Sequence, residues 1–598
     1  MQEDRPNRWQ RLQKASFNKK DLSRRMRRVE GVTVRHARKF VVRRWSKARD
    51  VHRHIITWVV AMGLLIGSVG LQLMWYQQSY KTVAQSNDGT YAEAVMGPVD
   101  TLNPLFASSG AEDSASNLLF SKLFTYDSSG HLSNDLATNL AINATGTVYT
   151  VTIRPDAYWH DGTKLTAKDV AFTVNLLKNS AVRSTLTGWS DISVTVVNDT
   201  TVTFTLKSIY AAFGHALTFS VLPEHILGHV APNAIRENSF STSPIGSGPF
   251  KLRFVQNLDI AAGRQIIHLE RNSNYYRGAS KIERFQLHVY GTQEAIVRAL
   301  ATDEVNSASD LSTSDIGQVD ANRYTLEAKP IESGVYALLN TSRGGLRDKA
   351  VRQALQRGTN TKAIIDKLPV GTPALDLPFI NGQLSGDVPK VVAFNSEQAK
   401  KMLDDAGWKI AGTTRKKDGL ELKLNVVTTK NSEYEHVLEL LVGQWRDLGV
   451  AVDTQVVDPN DPSQRVAQDV LKARNFDVLL YQLPIGADPD VYAFWHSSQI
   501  NSSRGLNFSN YSNPISDDAL STARSRLEPN IRNIKYLTFA RLWVDDVPAI
   551  GLYQSTYHYV HSVNVQSAGD ANVLVLPSDR YSDVQYWTVG SRPVYKTP

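Results

Sequence analysis

Two stretches in the first third of the chain alternate between polar and apolar residues, which is the pattern of half-buried β-strands. They are TVYTVTI (147–153) and TVTFTLK (201–207), in which every second residue is apolar. Between them, TAKDVAFTVNLLKN has apolar residues at helical spacing, and Thr166 stands where an N-cap is expected. The pattern predicts strands alternating with helices in this part of the chain.

A later block predicts a strand–helix–strand unit. LELKLNVV (420–427) and VAVDTQVV (450–457) read as strands, and the segment between them has an apolar stripe at helical spacing. Ser432 and Glu435 have the spacing of a capping box at the start of that helix. Strands joined in this way pair in parallel, so the block predicts an α/β sheet covered by helices.

A further helix, DPSQRVAQDVLKAR, leads into the strand FDVLLYQL (476–483), and the segment YQLPIGADPDVYAFWHSS overlaps the end of that strand. Ligands of open α/β sheets bind at the carboxyl ends of strands, so this segment is a candidate ligand contact. Its candidate residues are Tyr481, Asp488, Asp490, Tyr492 and Trp495. The structural alternatives are that either aspartate caps the next helix, and that Tyr481 and Trp495 belong to the core.

Charge is concentrated at the N-terminus. The whole chain has a net charge of +8, but residues 1–54 carry +13, so the rest carries −5. Residues 55–76 contain no charged side chain and are long enough to cross a bilayer as a helix. The positive flank predicts a cytoplasmic tail (1–54), a transmembrane helix (55–76), a linker (77–90) and an extracytoplasmic body. A cleaved signal peptide and a tail that binds RNA or anionic lipid are the alternatives.

Several motifs in the body together resemble the extracytoplasmic solute-binding proteins of ABC importers, family 5, the large peptide/nickel-binding class. LNPLF (102–106) is similar to the opening signature of that family, and WHDGTKLTAKDV (159–170) is the core of its most recognisable block. SPIGSGPFKL, VRQAL, NSEQAKKMLDDAGW and GADPDVYAFWHSS follow in the order of the family. The chain departs from many members in having no cysteine for a lipid anchor.

The resemblance implies an α/β, two-lobed periplasmic-binding-protein-like fold (type II) after the single N-terminal helix. Lobe I would comprise residues 91–331 and 549–598, and lobe II residues 332–548. Asp488 stands at the position whose carboxylate often binds the amino terminus of a peptide in this family, and Asp490 would orient the turn. Asn103 and Asn507 are further candidates for contact with the ligand backbone, with a turn role as the alternative for Asn507.

Catalytic and metal-binding functions are not indicated. The sequence has no Gly-x-Ser-x-Gly elbow, no His-Glu-x-x-His helix and no phosphate-binding Gly-Lys-Ser/Thr loop. The absence of cysteine excludes thiol nucleophiles and Cys-ligated zinc, and the 14 histidines show no ligand spacing. Asp161-Gly162 in the Trp159 motif reads as a turn after a strand. We therefore expect no enzyme, no cofactor and no nucleic-acid partner.

The predicted function is capture of oligopeptides in a cleft between the lobes for an ABC importer, with permease subunits as partners and the membrane as anchor. An extracellular peptide sensor with the same two lobes is an alternative, in which the basic tail would transmit a signal. A binder of a nickel complex or an oligosaccharide is another.

Overall fold

The computed structural model describes residues 45–85, 89–259, 262–369, 371–458, 464, 466–500, 505–566 and 573–595. The chain forms two compact units, one of Met1–Ala84 with Arg592–Pro598 and one of Gln85–Ser591. The α-helices are α1 (Trp45–Tyr80), α2 (Gly110–Leu119), α3 (Ala167–Lys178), α4 (Phe213–Ala216), α5 (Glu224–Leu227), α6 (Gln293–Ala301), α7 (Thr313–Ile316), α8 (Lys349–Arg357), α9 (Thr361–Ile365), α10 (Ser396–Asp405), α11 (Ser432–Asp447), α12 (Tyr492–Trp495), α13 (Pro514–Arg524) and α14 (Pro529–Asp546).

The strands are β1 (Lys81–Gln85), β2 (Thr90–Met96), β3 (Phe124–Tyr126), β4 (Leu132–Asn134), β5 (Ala137–Ile142), β6 (Val148–Ile153), β7 (Ser193–Asn198), β8 (Thr201–Thr205), β9 (Phe250–Asp259), β10 (Arg264–Arg271), β11 (Arg284–Tyr290), β12 (Ser307–Ser309), β13 (Tyr324–Leu339), β14 (Lys409–Ala411), β15 (Thr414–Lys417), β16 (Leu420–Glu421), β17 (Lys423–Thr429), β18 (Ala451–Val457), β19 (Val478–Pro484), β20 (Ala549–Ser562), β21 (Val565–Gln566), β22 (Thr588–Val589) and β23 (Ser591–Tyr595).

The N-terminal unit contains α1, whose segment His54–Trp75 is the one stretch of the described chain long and apolar enough to cross a membrane. The helix continues to Tyr80 and is followed directly by β1, which pairs with β23. The predicted linker 77–90 is therefore partly regular structure. Residues 77–82 contain no glycine or proline to stop the helix early. The first 44 residues of the predicted tail lie outside the described residues.

One mixed sheet of ten strands runs through the second unit, in the order β18-β17-β19-β13-β20-β12-β2-β11-β10-β9. The two long central strands, β13 and β20, pair antiparallel over most of their length. Tyr324 and Val560 pack in a core with β2, whereas Val335 and Ile550 pack in a core with β17. These two strands therefore connect two lobes with separate cores, and the predicted two-lobed α/β architecture is present.

Lobe I, in the first part of the unit, contains the elements predicted from the early alternating stretches. β6 and β8 pair antiparallel within the four-stranded sheet β5-β6-β8-β7. The side chain of Thr166 accepts a hydrogen bond from the Lys168 amide and caps α3, as predicted. The C-terminal segment returns to this lobe, where Tyr581, Val584 and Trp587 join its main core.

Lobe II contains the predicted strand–helix–strand unit: β17 and β18 are parallel, and α11 connects them. The cap of α11 differs from the prediction, because Asn431 rather than Ser432 is the N-cap and accepts from the Glu433 and Tyr434 amides. Asn is as favourable a cap as Ser, and it lies one residue earlier. Of the helix predicted over 461–474, part lies outside the described residues and a π-helical turn covers Ala467–Lys472.

The passage between the lobes is irregular in both central strands. Between the pairs Pro330–Thr556 and Gly334–Gln554, three residues of β13 face a single residue of β20. Such a bulge bends the strand and breaks the regular ladder. Ile550, Leu552 and Tyr553 pack in a core of lobe II, and the lobe boundary at 548/549 stays a prediction.

Candidate functional site

The segment with the two candidate aspartates is fixed to the bulge between the lobes. β19 ends at Pro484, and the amides of Ile485 and Gly486 donate to the carbonyl of Glu332 at 3.0 and 2.9 Å. The strands β17 and β19 are parallel, so the segment leaves from the carboxyl edge of this part of the sheet. This is the position at which an α/β sheet presents ligand contacts.

Asp488 forms an ion pair with Arg532 of α14, with 2.5 Å between Oδ1 and Nη2. The side chains are 12% and 15% exposed, so the pair is largely removed from water. In the described part of the chain, the recorded hydrogen bond of this carboxylate uses Oδ1 alone. The second oxygen, Oδ2, is therefore available to a further donor, since an ionised carboxylate has about four acceptor positions.

Asp490 has its two oxygens engaged within the lobe. Oδ2 accepts from Arg524 of α13 at 2.8 and 2.9 Å, and Oδ1 accepts from the amide of Tyr492 at 3.4 Å. The guanidinium of Arg524 also lies 4.2 Å from the ring centre of Tyr492. Asp490 thus orders the turn, which is the role that its sequence position also allowed.

Lobe I faces this pair of aspartates with aromatic side chains. The amide of Ala211 donates to the carbonyl of Arg524 at 2.9 Å, so the two lobes touch here. The ring of Tyr210 lies 4.9 Å from the Arg524 guanidinium. Burial, followed by the charge of Asp490, raises the pKa of Tyr210 to about 12. The phenol is therefore neutral and able to donate a hydrogen bond.

Tyr126 of β3 and His215 of α4, both in lobe I, are hydrogen-bonded to each other at 3.2 Å. Burial raises the pKa of Tyr126, and the carboxylates of Asp579, Glu332 and Asp488 raise it further. Burial lowers the pKa of His215, although the charge of Asp488 opposes this shift. The negative charge of three carboxylates from three parts of the chain therefore acts on one phenol.

A cavity of about 390 Å³ in lobe I adjoins this group through His215. Its wall combines aromatic side chains with charged ones, including Trp189, Phe219, Asp113 and Lys122. A concave site with apolar walls and a few polar groups is typical of small-molecule and peptide-side-chain pockets. Nothing in the sequence pattern distinguishes these residues from other core or surface positions.

The candidate aromatic residues of lobe II have different environments. Tyr492 is half-buried and stacks on His496 with 4.1 Å between ring centres. Tyr481 is half-buried and packs edge-to-face on Phe508. Trp495 is 1% exposed and packs against Trp543 and Tyr336 in a core of lobe II. Trp495 therefore occupies a core position, which was the alternative interpretation of its sequence position. Tyr481 and Tyr492, in contrast, retain exposed surface.

Asn103 and Asn507 are fully buried, and protein groups bind their side chains. Asn103 accepts from the Leu105 amide and donates to Ser241. Asn507 donates to the carbonyls of His496 and Tyr511 and accepts from the Tyr511 amide. Both shape turns in this conformation, and their contact with a ligand stays a prediction.

The Trp159 motif has a structural role. Nδ1 of His160 accepts from the Gly246 amide, and Nε2 donates to the carbonyl of Gly248, each at 3.1 Å. Burial lowers the pKa of His160 to about 4, so the ring is neutral and fixed in one tautomer. No cluster of three or more acidic or histidine side chains suited to a metal ion occurs within the described residues.

Comparison with known proteins places this architecture in a family. Residues 131–503 match the family described as bacterial extracellular solute-binding proteins, family 5 Middle. The chain is 28% identical over 489 residues to the oligopeptide-binding protein AppA of Bacillus subtilis. This alignment covers 79% of this chain and 87% of AppA. It is 26% identical over 525 residues to protein XP55 of Streptomyces lividans, spanning 84% of this chain and 90% of XP55.

Solved structures give the same result. The structure of B. subtilis AppA with a nonapeptide superposes with a TM-score of 0.69 at 25% identity, covering 85% of this chain and all of AppA. NikZ of Campylobacter jejuni with Ni(L-His) superposes with a TM-score of 0.71 at 24% identity, covering 83% of this chain and 99% of NikZ. The second likeness concerns the fold alone.

Proposed function

The chain belongs to family 5 of the bacterial extracellular solute-binding proteins, and on this premise we propose that it captures oligopeptides between its two lobes for an ABC importer. Proteins of this family bind solutes and are not enzymes. The relatives named for oligopeptide binding support the choice of peptide as ligand.

One observation carries the choice of ligand: Asp488 presents a second carboxylate oxygen beside the lobe contact, next to neutral tyrosines of lobe I. A peptide has a cationic amino terminus and a backbone of donors and acceptors. The carboxylate would bind the amino terminus by a charge-assisted hydrogen bond, sharing the carboxylate with Arg532. The phenols of Tyr210 and Tyr492 would contact the peptide backbone and bury its apolar surface.

The lobes would open and close about the bulged part of β13 and β20. In this region the regular ladder between the strands is interrupted, so the backbone there can absorb a change of angle. The cavity beside His215 would then receive a ligand side chain when the lobes close.

We further propose that α1 anchors the protein in the membrane through His54–Trp75, with residues 1–54 in the cytoplasm and the body outside. Anchoring by a helix would replace the lipid anchor that a chain without cysteine cannot carry. The partners on this proposal are the permease subunits of an ABC transporter. The proposed ligand contacts are Asp488, Asp490, Tyr481, Tyr492, Asn103 and Asn507, and Trp495 would support the site from the core of lobe II.

The test is ligand capture by the full chain in detergent. The protein is unfolded to release any bound ligand, refolded, and then titrated with oligopeptides, oligosaccharides and Ni²⁺–histidine while its melting temperature is recorded. We expect peptides to stabilise it, by about 2.7 kcal/mol at a hundredfold excess over the dissociation constant. Small-angle scattering should show the body becoming more compact.

Stabilisation by the oligosaccharides or by Ni²⁺–histidine, with none by peptides, would contradict the choice of ligand. Stabilisation by none of the three would contradict a binding function. A peptide that raises the melting temperature without compaction would contradict closure but leave peptide binding in place.

A further inference from the structure

Glu332 is a buried carboxylate at the bulge between the lobes. It is 9% exposed, and its Oε2 atom has no hydrogen-bond partner among the described residues. Both backbone groups of Glu332 are hydrogen-bonded: the amide donates to the Leu574 carbonyl at 2.8 Å, and the carbonyl accepts from the amides of Ile485 and Gly486. The backbone contacts fix the residue, so its side chain has a defined position.

The side chain of Glu332 points toward lobe I. Its Oε1 atom lies 3.1 Å from the place that a Cβ atom on Gly130 would occupy. Gly130 has a φ of 78°, and it belongs to a turn that Asp127 closes by accepting from the Ser129 and His131 amides. Glycine at this position meets the requirement for a positive φ and also leaves room for the carboxylate.

The other carboxylates around Tyr126 have nearby cations. Arg532 pairs with Asp488, and the charge of Lys122 lowers the pKa of Asp579 against the effect of burial. For Glu332, burial and the charge of Asp579 both act in the same direction and raise its pKa to about 7. Within the described residues, Glu332 is the one of these three carboxylates that has no lysine, arginine or histidine beside it.

A buried carboxylate without a partner destabilises a fold unless another group compensates it. Protonation neutralises Glu332 below its raised pKa of about 7; above it, the compensating group has to be cationic, because Asp579 adds negative charge near this position. It has to enter between the lobes, because the Glu332 carbonyl is bound by the segment after β19 of lobe II, whereas its carboxylate lies beside Gly130 of lobe I. A basic side chain of the ligand meets both conditions.

We propose that Glu332 binds a lysine or arginine side chain within the first three residues of the peptide, so that the protein prefers ligands that are basic near the amino terminus. The inference rests on the proposed function. The limit of three residues follows because Asp488, which would bind the amino terminus, comes two residues after Gly486, whose amide donates to the Glu332 carbonyl, so the two carboxylates lie on neighbouring stretches of backbone.

The experiment compares peptides that differ in a single charge. Hexapeptides with a free amino terminus carry lysine at position 1, 2 or 3, and each has a partner with norleucine at that position. Norleucine has the unbranched carbon chain of lysine without the ammonium group. Calorimetry at pH 8 with the full chain in detergent gives both affinities for the wild type, for Glu332→Gln and for Glu327→Gln.

Glu327→Gln is the matched control, because Glu327 lies on the same strand and interacts with His561 and Lys329 rather than with the cleft. At one of the three positions we expect the wild type and Glu327→Gln to bind the lysine peptide at least tenfold more tightly. Glu332→Gln should bind the two peptides equally, and its affinity for the norleucine peptide should be no lower than that of the wild type.

The dependence on pH provides a second readout. A raised pKa means that the folded state resists ionisation of Glu332, so its cost to stability is absent below about pH 4 and is present above pH 7. Glu332→Gln should therefore gain melting temperature relative to the wild type between pH 5 and pH 8. The wild-type preference for lysine should weaken at pH 5, because protonation removes the charge that binds it.

Two results would overturn the inference while leaving peptide binding intact: equal wild-type affinity for each lysine and norleucine pair, or a lysine preference that survives in Glu332→Gln. A wild type that binds none of the peptides would refute the proposed function, and this inference with it. A melt of Glu332→Gln at pH 5 verifies that the variant is folded before binding is measured.

Discussion

Replacing Asp488 with asparagine tests the anchor of the proposed peptide site. Asparagine keeps an oxygen that can accept from Arg532, so the hydrogen bond of 2.5 Å has a neutral replacement and the turn should persist. The negative charge that would bind the peptide amino terminus is lost. Comparing the wild type with Asp488→Asn therefore separates the contribution of the carboxylate charge to peptide binding from that of the shape of the site.

The expected loss follows from the burial of the pair. With side chains 12% and 15% exposed, an ammonium group bound here would be mostly desolvated. Losing the partner of a buried charge costs roughly 3 kcal/mol or more, which is about a hundredfold in affinity. Stability should fall by about 1–3 kcal/mol, because a hydrogen bond to a charged group becomes one to a neutral group.

The assay is calorimetry with a free and an N-acetylated form of the same peptide on three proteins. The wild type should bind the free peptide about a hundredfold more tightly, and Asp488→Asn should bind both forms with similar affinity. Asp518→Asn is the control, since Asp518 pairs with Lys535 on an exposed surface of lobe II. If acetylation weakens binding equally in the wild type and in Asp488→Asn, Asp488 does not bind the amino terminus and serves only to hold Arg532.

Two further predictions concern the anchor and the C-terminal segment. Protease added to intact cells should degrade the body and spare the basic tail, and protection of the body would contradict the proposed orientation of α1. Arg580→Met should cost about 3–5 kcal/mol in the free energy of unfolding, because it leaves the fully buried Glu93 without the partner 2.6 Å away. Arg541→Met, on an exposed pair with Asp387, should change stability by less than about 0.5 kcal/mol in the same denaturant titration, and equal effects would refute the structural role of Arg580.

Local patterns in the sequence predict the elements of this protein well where the hydrophobic period is regular. The helix α3, its Thr166 cap and the parallel pair β17 and β18 follow from such patterns. The predicted bounds of helices and strands are wrong by a few residues, because a neighbouring residue can cap or end the same element. Asn431 replaces Ser432 as a cap, and α1 extends past its predicted end because nothing stops it before β1.

The candidate site is less accessible from the sequence, because ion pairs between distant segments leave no periodic signal. Asp488 is identifiable by its position after a strand, but Arg532 lies 44 residues later on a helix with no such mark. Glu332 stands between Ile331 and Ser333 in a buried part of β13, where a charge is unexpected. Its burial comes from segments that are distant in the sequence, so the local pattern does not reveal it.

The distribution of charge between the lobes has a consequence for closure. Glu332 lies on β13, which passes between the lobes, and Asp488 follows β19 of lobe II, whereas Asp579 and Tyr126 belong to lobe I. On the proposed closure, these carboxylates would approach one another near Tyr126 in a medium of low dielectric, where like charges repel strongly. A cationic ligand would remove this repulsion in the closed state only, and a ligand shifts an equilibrium by its difference in affinity for the two states. The same carboxylates that would select a basic peptide would therefore also couple its binding to closure.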